Sequence, residues 1–307
     1  MDPGPPPPTP TPPALPPVLP DASPPALPPS PSPIHQKPEI SVGLAFGSMG
    51  VGLGAQMAIQ TVWGVVAAAV GNPALATNPW TLAASILLSI GGIAGFLAIF
   101  RVDLRSTVSF GFPHPLRTVP AVILLTIAGW IVSMQVGITT ERLVPMPKVI
   151  EDIFRQLLDR SQPIGLLLAI VVAAPLMEEY LCRGIVLPAL QRRWGSAIAI
   201  IGSALAFGAL HMNPWQFFYA ALLGVTLGWL RVQSGSIAPG ILLHALNNLI
   251  SWVLLLHPSL LPKGQDFVDK TAQEVPTTWL LMAAVLFPAG FLLLGQKSRR
   301  SNEAGLR

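Results

Sequence analysis

Five long stretches of this chain carry no formal charge at all, and they decide what it can fold into. No Asp, Glu, Lys or Arg occurs between Glu39 and Arg101, between Arg117 and Glu141, between Arg193 and Arg231, between Arg231 and Lys263, or between Glu274 and Lys297. A helix that crosses a bilayer needs about 20 consecutive, mainly apolar residues, and each of these stretches supplies at least one such segment. Repeated gaps of this kind are not compatible with a water-soluble domain, whose charged fraction is about 25%; here it is 10%, with a mean hydropathy of +0.60. The backbone of a spanning segment must satisfy its own hydrogen bonds, and the apolar runs are long enough to be helices. The fold class expected is therefore an all-α membrane protein with about eight transmembrane helices.

The remaining composition excludes other classes. The net charge is +4, which a positive-inside bias of the loops accounts for; no basic run points to nucleic acid, so none is expected as a partner. The single cysteine, Cys182, lies within a span and excludes an intrachain disulfide. Residues 1–38 hold 18 of the 34 prolines. Proline gives no amide hydrogen, and the segment has too few large apolar residues to build a core, so it reads as a Pro-rich disordered tail. It lacks the basic start and apolar stretch of a signal peptide.

Hydropathy places spans at about 42–70, 80–100, 119–138, 163–190, 196–211, 215–231, 237–256 and 277–295. The units expected are the tail, three N-terminal helices within 39–140, a polar segment at 141–162, a four-helix core at 163–256, a last helix at 277–296 and a basic tail at 297–307. Within the polar segment, Val149, Ile150, Ile153, Phe154, Leu157 and Leu158 recur at helical spacing, which predicts a short helix on the membrane surface. Trp80, Trp194, Trp215 and Trp279 fall at span ends, where indoles favour the interface. With the N-terminus inside, eleven Lys and Arg residues face the cytosol and six face out. A multi-pass protein with both termini cytoplasmic is expected.

Ionisable groups at membrane depth cost at least about 2.5–3.5 kcal/mol, so those that occur demand an explanation. Glu179 and Arg183 are four residues apart in one span, on one helical face and in the favourable acid-first order. Glu178 is rotated by about 100° from its neighbour and has no partner on its own helix. Phe207 and His211 stand one turn apart in the next span. His244 and Asn248 share a face of a third, with Asn247 turned elsewhere. If the chain turns at Gly195, Glu178 and His211 both lie about 25 Å along their helices from that turn, at about 1.5 Å per residue, and so come level.

The ordered trio Glu178-Glu179-x-x-x-Arg183, Phe207-x-x-x-His211 and His244-x-x-x-Asn248 resembles the CAAX protease and bacteriocin-processing family of intramembrane proteases, also called the Abi family, over about 163–256. The resemblance implies hydrolysis of a peptide bond in a membrane-embedded or lipid-modified peptide or protein. It casts Glu178 as general base and His211 as the group that orients the water. His244 and Asn248 are implied as donors to the developing oxyanion, with Glu179, Arg183 and Phe207 supporting the site. Glu178, His211 and His244 would also serve as a zinc-ligand set, although no H-E-x-x-H occurs; the resemblance leaves zinc-dependent and metal-free routes open. Two other classes fit the same polar residues: a non-catalytic immunity or binding protein of the same fold, and a proton-coupled transporter using Glu178 and the histidines as a relay. The intact four-residue set weighs against the first, and the absence of an obvious internal repeat against the second.

Overall fold

The computed structural model describes residues 39–102, 108–158, 160–261 and 274–295, together with residues 1 and 4. The Pro-rich segment and the basic C-terminal tail lie outside the described residues. Among those described there is no β-strand. The helices are α1 (Val42–Ala69), α2 (Pro79–Ile99), α3 (Pro115–Leu143), α4 (Lys148–Leu157), α5 (163–194), α6 (196–210), α7 (Pro214–Ser234), α8 (Ala238–Leu256) and α9 (Thr277–Gly295).

Among the described residues six stretches are long and apolar enough to cross a membrane: α1, α2, α3, the combined run Pro163–Leu210, α8 and α9. That run has 48 residues; at about 1.5 Å per residue it would reach about 72 Å as one rod, more than twice a hydrocarbon core of about 30 Å. It breaks at Gly195, where φ is 80° and ψ 173°, a conformation closed to side chains with a Cβ. The break yields α5 and α6, at the turn the sequence predicts. The expected span at 215–231 forms as α7 but stands outside the six. It begins and ends in polar residues, with Gln216 at one end and Arg231 and Gln233 at the other.

The helix that carries the expected span at 119–138 extends beyond it at both ends: α3 starts at Pro115 and continues to Leu143. Hydropathy marks where apolar side chains stop, whereas the helix ends where its backbone loses partners. Thr139 and Thr140 bond back to Gln135 and Val136 carbonyls and stay helical. The polar segment forms α4, with Val149 and Ile153 exposed and an Arg155–Glu151 pair at 2.9 Å on the other side.

Apolar side chains such as Leu88, Ile99, Leu281, Val285 and Leu292 are exposed on the outer faces, as expected for helices solvated by lipid. The main core surrounds α5, with Leu181, Cys182, Ile185, Val186 and Leu187 buried. A second cluster joins α3 to α9 through Ala128, Ile131, Met134 and Ala283. Indole hydrogens staple distant segments: Trp130 donates to Ser251 Oγ (3.2 Å), Trp215 to the Val144 carbonyl (2.7 Å) and Trp252 to the Pro163 carbonyl (3.0 Å).

Between lipid-solvated helices there is little hydrophobic driving force, so small residues let backbones approach. A Cβ at Gly208 would stand 2.8 Å from the Phe217 carbonyl oxygen, and one at Gly224 would stand 2.9 Å from Ala204 Cα. These two glycines seat α6 against α7. Substituting Gly224→Ala overpacks backbone against backbone and is expected to cost about 1–3 kcal/mol. The check is a lowered thermal midpoint of the detergent-solubilised protein; an unchanged midpoint would refute this account of the α6–α7 contact.

Candidate active site

The helix that carries both glutamates is not regular. α5 contains two wider, π-helical turns, Leu167–Ala173 and Tyr180–Val186, on either side of the six-residue α-helical piece Ala174–Glu179. A proline follows each by two residues. Pro175 and Pro188 have no amide hydrogen for the carbonyls of Val171 and Gly184, and their rings crowd those carbonyls; a widened turn accommodates both problems. It also exposes carbonyl oxygens, which other helices satisfy. Asn248 of α8 donates Nδ2–H to the Ile170 carbonyl at 2.8 Å, and Arg231 of α7 donates Nε–H to the Arg183 carbonyl at 3.2 Å. Wide turns of this kind are frequent at functional sites.

The predicted ion pair is present. Arg183 Nη1 donates to Glu179 Oε1 at 2.8 Å, and neither side chain reaches solvent. Arg183 makes two further contacts: Nη2 donates to the Gly224 carbonyl at 2.8 Å, and the guanidinium carbon lies 4.7 Å from the centroid of the Phe207 ring. The second Glu179 oxygen, Oε2, has no hydrogen-bond partner and would be 2.8 Å from a Cβ at position 240. Gly240 lets the carboxylate lie against the α8 backbone, one turn before His244.

Glu178 points away from the guanidinium, as its helical phase requires, and is slightly exposed: 15% of its side chain is accessible. Its Oε2 lies 3.6 Å from His244 Nε2, while the opposite nitrogen, Nδ1, lies 3.5 Å from Glu179 Oε1. One buried imidazole thus stands between the two glutamates. The sequence reading left the second carboxylate uncompensated; the structure puts His244 beside it.

His211 reaches the cluster through Phe207. The Phe207 ring meets His211 and His244 edge to face, at centroid distances of 5.4 and 5.3 Å. His211 Nδ1 is 3.1 Å from the Phe207 carbonyl. Since a carbonyl only accepts, that nitrogen carries the hydrogen, which in the neutral ring leaves Nε2 with its lone pair. His211 caps α6 and is followed by Met212 at φ 54°, with Asn213 Nδ2 bonded to the His211 carbonyl at 2.7 Å. The chain therefore reverses directly after the imidazole and fixes it at the helix end.

Phe207, which the sequence offers as a motif position only, is the common contact of Arg183, His211 and His244. Asn248 is less free than the sequence suggests: one amide hydrogen goes to Ile170, and Oδ1 accepts from Asn247 Nδ2 at 3.3 Å. Among the described residues no group of three or more His, Cys, Asp and Glu side chains is arranged to hold a metal ion. Glu178 and His244 adjoin, but His211 does not complete a ligand set with them. The parts that sequence reasoning missed are Arg231, Gly224, Gly240 and the two wide turns; the mid-span prolines Pro175 and Pro188 were the signal for the last.

Residues 160–250 match the family model described as Type II CAAX prenyl endopeptidase Rce1-like. The matched segment holds all seven site residues, and the family is the one their three motifs resemble. No curated protein and no solved structure matches the chain.

Removing one member of the buried pair strands the other as an unpaired charge. Arg183→Ala is expected to cost about 3–5 kcal/mol, whereas Arg183→Met with Glu179→Gln, which removes both charges, recovers most of that loss. Unfolding of the three proteins in detergent, followed by circular dichroism, reads this directly. A double variant no more stable than Arg183→Ala would show that the charges are not paired energetically.

Proposed function

We propose that this chain is an intramembrane endopeptidase in which Glu178 activates water to hydrolyse a peptide bond. The carrying observation is the position of the Glu178 carboxylate: partly accessible, 3.6 Å from the His244 imidazole and next to the buried Glu179–Arg183 pair, in a segment matched by a prenyl-endopeptidase family. In this reading the protein is multi-pass, both termini are cytosolic and α4 lies along the membrane surface. The substrate is a membrane-embedded peptide, and the likeness to prenyl endopeptidases favours one ending in a prenylated cysteine and a short tail.

The chemistry uses this chain's own groups. Water is a weak nucleophile, and a carboxylate within reach removes one of its protons as it attacks the carbonyl carbon. His211, whose Nε2 lone pair faces away from its bond to Phe207, accepts a hydrogen bond from the same water and orients it. Asn248 retains a second amide hydrogen after bonding Ile170, and can donate it where negative charge develops on the carbonyl oxygen. The proton taken by Glu178 passes to the leaving amine nitrogen as the C–N bond breaks. Water has then added hydroxyl to the acyl fragment and hydrogen to the amine, and the carboxylate is restored. Arg183, Glu179 and Phe207 do not touch the reacting atoms in this scheme; they hold the helices that do.

The test uses purified full-length protein in lipid vesicles with three quenched fluorescent peptides: one with a farnesylated cysteine followed by three residues, the same peptide without the lipid, and an unmodified apolar helix. Cleavage of the first is expected, and Glu178→Gln should lower it by at least about 10²-fold with an unchanged melting temperature. Equal cleavage by wild type and Glu178→Gln would sink the assignment. Cleavage of the apolar helix alone would keep the peptidase and discard the prenylated substrate.

A further inference from the structure

Glu179 has more to do than neutralise Arg183. Its Oε1 accepts from Arg183 Nη1 and also faces His244 Nδ1 at 3.5 Å. That nitrogen is buried and has no hydrogen-bond partner, and neither has Glu179 Oε2. A ring nitrogen without a partner and a carboxylate with one oxygen unpartnered thus lie side by side where neither is open to solvent, and an unmade hydrogen bond costs most there. An imidazole can hold its single hydrogen on either nitrogen. Beside the fully buried Glu179 carboxylate a bare Nδ1 sets lone pair against negative charge, whereas Nδ1–H sets a dipole toward it; Nε2 faces Glu178 instead, whose side chain is 15% accessible, so that water can separate its charge from the lone pair. The ring is buried: Phe207 packs against it edge to face at 5.3 Å, 3% of the residue is exposed, and Gly240, having no Cβ, lets the Glu179 carboxylate lie against the α8 backbone.

We infer that Glu179 is a positioning residue that fixes His244 as the Nδ1–H tautomer, leaving a bare Nε2 directed at Glu178. The inference builds on the peptidase reading for its consequence, and changes the part His244 plays there. A bare Nε2 is not an oxyanion donor in the resting enzyme. It is the acceptor, 3.6 Å from Glu178 Oε2, for the proton that Glu178 takes from water. When that proton moves from Oε2 to Nε2, Glu178 becomes a carboxylate again and His244 an imidazolium held by Glu179. Nε2–H then exists only once the oxyanion has formed, and it donates there before passing the proton to the leaving amine. The proton count closes: one leaves water, crosses Glu178 and His244, and ends on the amine. The logic is that of a carboxylate orienting the imidazole of a hydrolytic triad, with the carboxylate itself anchored by a guanidinium.

The experiment reads the tautomer directly. The chain has five histidines, so full-length protein labelled with nitrogen-15 histidine in lipid nanodiscs gives a tractable spectrum, with His244 assigned by its loss in His244→Gln. At about pH 8.5 wild type is expected to show a protonated Nδ1 and a bare Nε2. A bare Nδ1, or hydrogen on Nε2, overturns the inference without any variant having to fold. Glu179→Ala combined with Arg183→Met removes the ion pair as a unit and keeps burial apolar. If Glu179 positions the ring, this variant moves hydrogen to Nε2 and lowers kcat on the farnesylated peptide at least tenfold, with KM within about twofold. If Glu179 serves the ion pair alone, tautomer and kcat stay as in wild type, which also overturns the inference. A wild-type protein that cleaves none of the three peptides refutes the peptidase reading instead, and the tautomer measurement stands apart from it.

Discussion

The pair between Glu179 and Arg183 organises the middle of this molecule. Two full charges sit 2.8 Å apart where neither meets solvent, in a protein whose surroundings offer hydrocarbon rather than water. A charge in that position needs every neighbour to be in place. The neighbours come from four helices: α5 supplies the pair, α6 the Phe207 ring against the guanidinium, α7 the Gly224 carbonyl, and α8 the glycine against which the carboxylate lies. Helix association in lipid lacks the hydrophobic drive available in water, so a polar knot that draws contacts from four helices is an effective way to set one arrangement of helices over its alternatives. The small residues follow from it. Gly224 and Gly240 are where backbone must approach a charged side chain, and any larger residue would hold the charge away from its partner.

A second constraint acts along α5 itself. Prolines at 175 and 188 cannot complete a regular helix, and the chain answers with a wide turn ahead of each. An exposed carbonyl within a bilayer is costly, so the turns are stable only because Asn248 and Arg231 reach across to them. The six-residue piece between the turns carries Glu178 and Glu179. The helix that presents the carboxylates is thereby held from both sides by the helices that complete the site. This is preorganisation achieved with backbone groups: the carboxylates do not have to find their partners, because the turns that flank them are already fastened.

Much of this was legible in the residues. Glu179 and Arg183 pair as their i,i+4 spacing requires, Glu178 turns away as its phase requires, and the chain breaks at Gly195 where the hairpin geometry needed it. The limits were equally physical. α3 runs past the apolar stretch that marks its span because hydropathy follows side chains while a helix follows its hydrogen bonds. That His244 also lies beside Glu179 was missed, because only the packing of α8 on α5 brings its Nδ1 to 3.5 Å from Glu179 Oε1. Asn248 reads as a free polar group until the carbonyl of Ile170 appears beside it, and the zinc-ligand set that the motifs suggested depends on the mutual placement of three side chains on three helices.

What the sequence determined by itself was the class of fold and the cast of the site. Charge-free runs leave helices as the way to cross a bilayer, and buried ionisable residues are too costly to be incidental, so both follow from one-dimensional pattern and transfer energy. What only the tertiary structure decided was who faces whom: an imidazole between two carboxylates, an aromatic ring shared by a guanidinium and two histidines, and a carbonyl freed by proline and taken by asparagine. Those are relations between side chains on different helices, fixed by rotation and depth of each helix against its neighbours. No local spacing encodes them, because the energy that selects them exists only after the helices have met.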